Sequence, residues 1–120
     1  MERQFRNSCQ LGQIEIVKDL ISQGVDVKSK DQLGRDGLFW AAERGQVEIV
    51  KLLMSLDKPG NVNVNQADDH AHTPLHIAVL KNHKDVVTVL LQNKDIDIDL
   101  VNFKGQTALD FAKYQDGPVN

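Results

Sequence analysis

The sequence predicts an all-α chain, a solenoid of helix–turn–helix units joined by short β-hairpin connectors and forming a single domain over residues 1–120. Three observations predict it. A block of sequence recurs: Gly12 of "GQIEIVK" returns as Gly45 of "GQVEIVK", an offset of 33. Leu38 then returns as Leu75 at an offset of 37, and "AHTPLHIA" from residue 71 returns as "GQTALDFA" from residue 105 at 34. Within each block the apolar residues keep one-, three- and four-residue spacings, which gather on one side of a helix. Alanines recur at Ala41, Ala42, Ala78 and Ala112, where small side chains let neighbouring helices approach closely. A lone helix pair cannot bury its apolar face, so such pairs must stack.

The units run over about residues 2–30, 31–66, 67–100 and 101–120, the first and last incomplete. The first begins inside the repeat and ends its opening helix at Gly12. The second opens on Asp36 as cap, with "DGLFWA" following, and ends its first helix at Gly45. The third is the clearest. Thr73 can cap its first helix by accepting from a free N–H of the opening turn. Pro74 takes the first helical position, where its missing N–H costs nothing. Leu75, Ala78 and Val79 follow at helical spacing, and Asn82 ends the helix as Gly12 and Gly45 do. The second helices align Ile16, Val17, Leu20 and Ile21 with Ile49, Val50, Leu53 and Met54, then with Val86, Val87, Leu90 and Leu91. The fourth unit has "TALDFA" but no apolar second helix after it. The segment "DKPGNVNVN", residues 57–65, is an insertion with its turn at Pro59-Gly60.

Composition narrows the function. At 41% hydrophobic, 26% charged and a net charge of -3, the chain is a folded domain rather than a disordered one. The longest apolar run, around "VVTVLL", is far short of the roughly 20 residues that span a bilayer. "MERQFRNSCQ" lacks the apolar core of a secretory signal. Mild acidity without Lys/Arg clusters argues against nucleic acid and anionic membranes as partners. The one cysteine, Cys9, can form no intramolecular disulfide and reads as a small core residue in an intracellular protein.

All four histidines lie in "HAHTPLHIAVLKNH", residues 70–83, so a metal site has to be weighed. His76 stands three residues after Thr73, the place of the acid in a capping box, which gives it a structural task. Metal binding needs several nitrogens converging near 2.0–2.1 Å, and a paired His70 and His72 is not enough. "DIDID" sets Asp95, Asp97 and Asp99 at calcium-loop spacing, but Leu100 and Gln106 stand where the loop needs Gly and Glu. It reads as a connector with Ile96 and Ile98 tucked inward. Asn65 reads as a turn-locking residue. No phosphate loop and no nucleophile–base pair with a plausible context is present.

The run "TPLHIA", the 33–37 residue period and the second helix "GQVEIVKLL" resemble the ankyrin-repeat family, across about residues 2 to 115. In size the chain is similar to small four-repeat, myotrophin-like members. The resemblance implies that His70 and His72 sit on a hairpin tip, His76 in the stack and His83 at the inter-helix loop. It also implies that the concave face, made of hairpin tips and first-helix ends, holds a target. Positions there that the fold does not need are Gln32, Leu33, Arg35, Glu43 and Arg44 in the second unit. The third contributes Asp69, His70, His72, Leu80 and Lys81, and the fourth Phe103, Lys104, Gln106, Tyr114 and Gln115. Leu33, Leu80, Phe103 and Tyr114 are apolar or aromatic where polarity would serve, the mark of interface anchors. Trp40 aligns with Ile77 and Phe111 and is expected to pack between layers.

The expected function is a non-catalytic protein-binding module or adaptor, a monomer with no cofactor, whose partner is a protein. An intracellular setting goes with it, cytoplasmic or nuclear, with delivery into a host cell if the chain is a bacterial effector. Two alternatives stand: a segment of a larger protein such as an enzyme or effector, and, more remotely, a histidine metal-binding protein.

Overall fold

The computed structural model describes residues 1–56 and 62–115, with side chains to Lys113. The turn expected at Pro59-Gly60 lies outside the described residues. Seven helices are formed among them: α1 (Glu2–Leu11), α2 (Ile14–Ser22), α3 (Gly37–Arg44), α4 (Val47–Met54), α5 (Pro74–Leu80), α6 (Lys84–Leu91) and α7 (Ala108–Gln115). They stack as an all-α solenoid 49 Å long and 28 × 22 Å across. First helices α1, α3, α5 and α7 pack in succession as one layer, and second helices α2, α4 and α6 as the other.

Local chemistry sets each helix end. Asp36 Oδ1 accepts from the Phe39 N–H at 2.9 Å and starts α3. Thr73 and His76 form a reciprocal capping box at α5, with Pro74 at its first position. Thr107 Oγ1 accepts from the Asp110 N–H while Asp110 Oδ2 accepts from the Thr107 N–H, the same device with a carboxylate in place of the imidazole. Gly12, Gly45 and Asn82 close α1, α3 and α5 in the left-handed region, at φ 77, 72 and 61°.

The core runs between the layers. Leu38, Ala41, Ala42, Ala78, Val17, Val50, Val86 and Leu90 are wholly buried. The close helix approach expected from the alanines is seen at the first three, whereas Ala112 is half-buried on a groove wall. Ile16 and Leu91, aligned with buried or half-buried residues of other pairs, are 38% and 49% exposed. They belong to the outermost described second helices, α2 and α6, where no further pair among the described residues covers them.

Two expectations need correcting. Ile96 packs on the core, but Ile98 is exposed and lines an apolar groove of 370 Å³ with Leu75, Val87, Leu91 and Leu109. The alternation of "DIDID" placed both isoleucines inward, yet the turn there breaks strand periodicity. Nor is Trp40 interlayer packing. Its indole lies half-buried on the first-helix surface, as described below.

Candidate partner-binding face

The connectors are turns, with no strand among the described residues. Each tip is built by one side chain. Asp31 Oδ1 accepts from the Leu33 and Arg35 N–H groups at 3.0 and 2.9 Å. Asp68 Oδ1 does the same for His70 and His72 at 3.0 and 2.9 Å, and Asn102 Oδ1 for Lys104 and Gln106 at 2.9 and 3.0 Å. The closing residue folds back over its own anchor: Arg35 Nε donates to Asp31 at 2.9 Å, and Asn102 Nδ2 donates to Gln106 Oε1 at 2.9 Å. Gly34 and Gly105 hold positive φ of 80° and 73° at the turns, and Ala71 holds 65° at the matching place.

The tips are tied to one another in a row. The Asp69 N–H donates to the Leu33 carbonyl at 2.9 Å, and the Phe103 N–H to the His70 carbonyl at 3.2 Å. Side chains at the inter-helix loops lock the units further back. Gln46 Nε2 donates to the Gln10 carbonyl at 3.1 Å, over Gly12. His83 Nε2 meets the Glu43 carbonyl at 3.0 Å, over Gly45.

His76 is 1% exposed and its ring is fully committed. Nδ1 accepts from the Thr73 N–H at 3.2 Å, so the proton sits on Nε2, which donates to the Gln106 carbonyl at 2.8 Å. The imidazole thus joins the third unit to the fourth. His72 stacks near His76 and Phe111, and burial lowers its pKa against the upward pull of Asp68. Of the acids of "DIDID", Asp97 serves a turn, its Oδ1 accepting from the Asp99 N–H at 2.9 Å. Asn65 clamps that same turn from the preceding unit, donating to the Asp95 carbonyl at 2.8 Å and accepting from the Asp97 N–H at 2.9 Å. Burial pushes the Cys9 thiol up to about 12, with the Asp36 charge adding to it, so its sulfur is a packing group.

The residues singled out in the sequence fall into three groups. Gln32, Leu33 and Arg35 lie on the second-unit tip and wall a groove of 720 Å³ against α1. His70, His72, Phe103, Lys104 and Gln106 wall a smaller one of 220 Å³ between the third and fourth tips. Asp69, on the third tip, is exposed and lies against the second. Glu43, Arg44, Leu80 and Lys81 enter neither groove. They gather at the ends of α3 and α5, where Glu43 pairs with Arg44 at 2.9 Å and Lys81 at 3.7 Å. Leu33, Leu80 and Phe103 are 45%, 39% and 77% exposed. The side chains of Tyr114 and Gln115 lie outside the described residues.

Sequence reasoning missed Arg3, Arg6, Asn7, Gln10 and Lys30, which complete the larger groove with Trp40. The 33-residue offset that aligns Gly12 with Gly45 carries Glu43 back to Gln10 and Trp40 back to Asn7, so the signal was there for α1. Trp40 Nε1 donates to Asp31 Oδ2 at 3.2 Å, and the Arg35 guanidinium lies 4.4 Å over its ring.

Comparison with known proteins agrees with this architecture. The family described as ankyrin repeats (3 copies) matches residues 6–102 and 61–117. The chain belongs to the ankyrin-repeat family. Ankyrin repeats are protein–protein interaction modules. Among curated relatives, the chain is 34% identical over 98 residues to the probable 26S proteasome regulatory subunit p28 of Saccharomyces cerevisiae, covering 82% of this chain and 42% of that protein. It is 33% identical over 102 residues to a putative ankyrin repeat protein of Rickettsia bellii, covering 84% and 54%. It is 34% identical over 103 residues to the human transient receptor potential cation channel subfamily A member 1, covering 84% of this chain and 9% of the channel. The chain therefore spans at most about half the length of these relatives. No helix among the described residues is long and apolar enough to cross a membrane.

Proposed function

We propose that the chain is a non-catalytic adaptor module that grips a partner protein on the face formed by its turn tips and first helices. The observation that carries this reading is the row of hydrogen-bonded tips presenting Leu33 and Phe103 to solvent, 45% and 77% exposed. The fold needs neither side chain for its own packing. Exposed apolar anchors ringed by polar groups are where interface energy concentrates. The tips are also held rigidly by Asp31, Asp68 and Asn102, so little ordering entropy is lost on docking. The residues assigned to contact are those of the three groups above, together with Tyr114 of the fourth unit. An intracellular setting, cytoplasmic or nuclear, goes with the reading. The yeast relative, named as a probable proteasome regulatory subunit, supports a partner that is itself part of an assembly.

The test is affinity capture with quantitative mass spectrometry, comparing the native chain with a Leu33→Ala/Phe103→Ala double variant. Both positions are exposed, so circular dichroism should be unchanged while specific partners are depleted. Equal recovery of every partner by both proteins would remove the concave face as the docking surface.

A further inference from the structure

The larger groove has a chemistry that the rest of the molecule lacks. The chain carries 14 Lys and Arg against 17 Asp and Glu, yet four cations, Arg3, Arg6, Lys30 and Arg35, line this one groove with a single acid, Asp31. That acid is already spent. Its two oxygens accept from the Leu33 N–H, the Arg35 N–H, Arg35 Nε and Trp40 Nε1, so it offers no counter-charge to the other three cations. Of the four, only Arg35 has a carboxylate within 4.0 Å among the described residues. Arg6 Nη1 instead donates to Ser29 Oγ at 2.9 Å, which fixes the guanidinium at the groove wall. Two carboxylates lie near enough to interact by charge, Glu2 with Arg6 and Asp36 with Lys30, but neither forms an ion pair and both are held by other bonds. Glu2 accepts from the Asp26 N–H at 3.1 Å, and Asp36 is 2% exposed beneath α3 as its cap.

Beside the cations stands an apolar anchor. Trp40 is pinned by Asp31 and covered on one side by the Arg35 guanidinium at 4.4 Å, and Leu33 is exposed at the rim. Tryptophan and arginine held in place before a partner arrives are the residue types that dominate interface energetics. The volume of 720 Å³ suits a short segment rather than a folded surface. A nucleic acid fits less well. Its backbone needs a continuous basic track, and the face beyond the groove carries Asp68, Asp69 and the paired Glu43.

We propose that this groove binds an acidic peptide segment of the partner protein, its carboxylates set against Arg3, Arg6 and Lys30 and one apolar side chain against Trp40. This rests on the concave-face reading above and names the partner's chemistry. The excess positive charge of the groove raises the encounter rate with such a segment, and the indole and leucine hold it once seated.

Trp40 is the only tryptophan in the chain, so its emission reports on the groove directly. The probe is a synthetic peptide of Glu and Asp residues interrupted by one Leu, titrated while Trp40 fluorescence is followed. Controls are the Gln/Asn version of the peptide and a single-stranded oligonucleotide of equal charge. The acidic peptide should shift the emission saturably and bind more weakly as salt is raised. Arg3→Glu/Lys30→Glu, both at exposed positions, should weaken binding about tenfold with the fold intact. Equal binding of the neutral peptide, equal binding of the oligonucleotide, or no change on charge reversal would each overturn the proposal. The capture experiment separates this failure from the broader one. Partners lost with Leu33→Ala/Phe103→Ala but retained by the charge-reversed chain leave the concave face standing and reject the acidic segment. Partners lost with both variants support the two together.

Discussion

The third unit begins "TP" and the second "DG", which invites replacing Gly37 by the residue the repeat favours. The structure predicts that this fails. A Cβ at Gly37 would stand 2.8 Å from Phe5 Cε2, 3.0 Å from Cys9 Sγ and 3.4 Å from Phe5 Cδ2. Real carbon contacts do not come that close, so something must move. Phe5 and Cys9 are both 0% exposed, locked between α1 and α3. Helix propensity alone would favour Gly37→Ala by up to about 1 kcal/mol, less in the first turn. Overpacking a closed core costs about 1–3 kcal/mol. The net expectation for Gly37→Ala is a loss of about 1 kcal/mol, a fall in Tm of about 4 °C for a domain of this size, and more for Gly37→Pro. Urea titration should show a lower midpoint with an unchanged slope, since the native fold survives. Phe5→Leu removes the ring atom at closest approach. In that background Gly37→Ala should lose roughly half its cost in a double-mutant cycle. If Gly37→Ala raises Tm, or costs as much beside Leu as beside Phe, then α1 does not press on α3 at this point and the argument is wrong.

Three further outcomes follow from other sites. Asp36 is buried, and burial raises its pKa to about 6, only partly offset by the Phe39 N–H. Its unfolded value is about 3.9, so the stability it gives is complete below about pH 4 and is lost as pH rises through about 6, a span of up to about 3 kcal/mol. Asp36→Asn keeps the cap acceptor and should flatten the thermal-melt dependence across that window; an unaltered slope would assign it to another group. Ala71 holds φ of 65° where Gly34 and Gly105 stand in the other tips. Relieving it costs some chain entropy, so Ala71→Gly should stabilise by about 0.5–1 kcal/mol in the same melts, and a lower Tm would contradict that conformation. His76→Ala removes the acceptor for the Thr73 N–H and the donor to the Gln106 carbonyl. It should cost about 2–4 kcal/mol, with amide exchange quickening first in α7.

The helices could be read from the chain because their signals are local. Thr73, Pro74, Gly12, Gly45 and Asn82 act within one turn of themselves, and the apolar spacing of the second helices needs no knowledge of neighbours. What depends on neighbours was not legible. Ile98 looked inward by alternation, but no second helix after α7 is described to cover it. Trp40 looked like packing because Ile77 and Phe111 share its column, yet Asn7 in the first unit leaves room for the ring to face the groove. The acids Asp31 and Asp68 and the amide Asn102 read as connector polarity. Their shared task, one oxygen closing each turn, emerges only when the three backbones are overlaid. The basic groove was hidden in the same way: Arg3 and Arg6 lie far along the chain from Lys30 and Arg35, and a net charge of -3 conceals where they assemble.

The locks between units do not all point the same way. Gln46 and His83 reach back toward the preceding pair, while His76 reaches forward to Gln106. The second and third pairs are therefore stapled on both flanks, whereas the fourth unit is tied to the third by His76 on the Gln106 carbonyl, by the Phe103 N–H on the His70 carbonyl and by Asn102 beside His72. Peeling that begins at α7 must first break the imidazole bond to Gln106 and then meets a doubly fastened block. Unfolding that starts there should run from α7 inward and stall at that block, leaving a smaller stack that still carries the groove of Arg35 and Trp40.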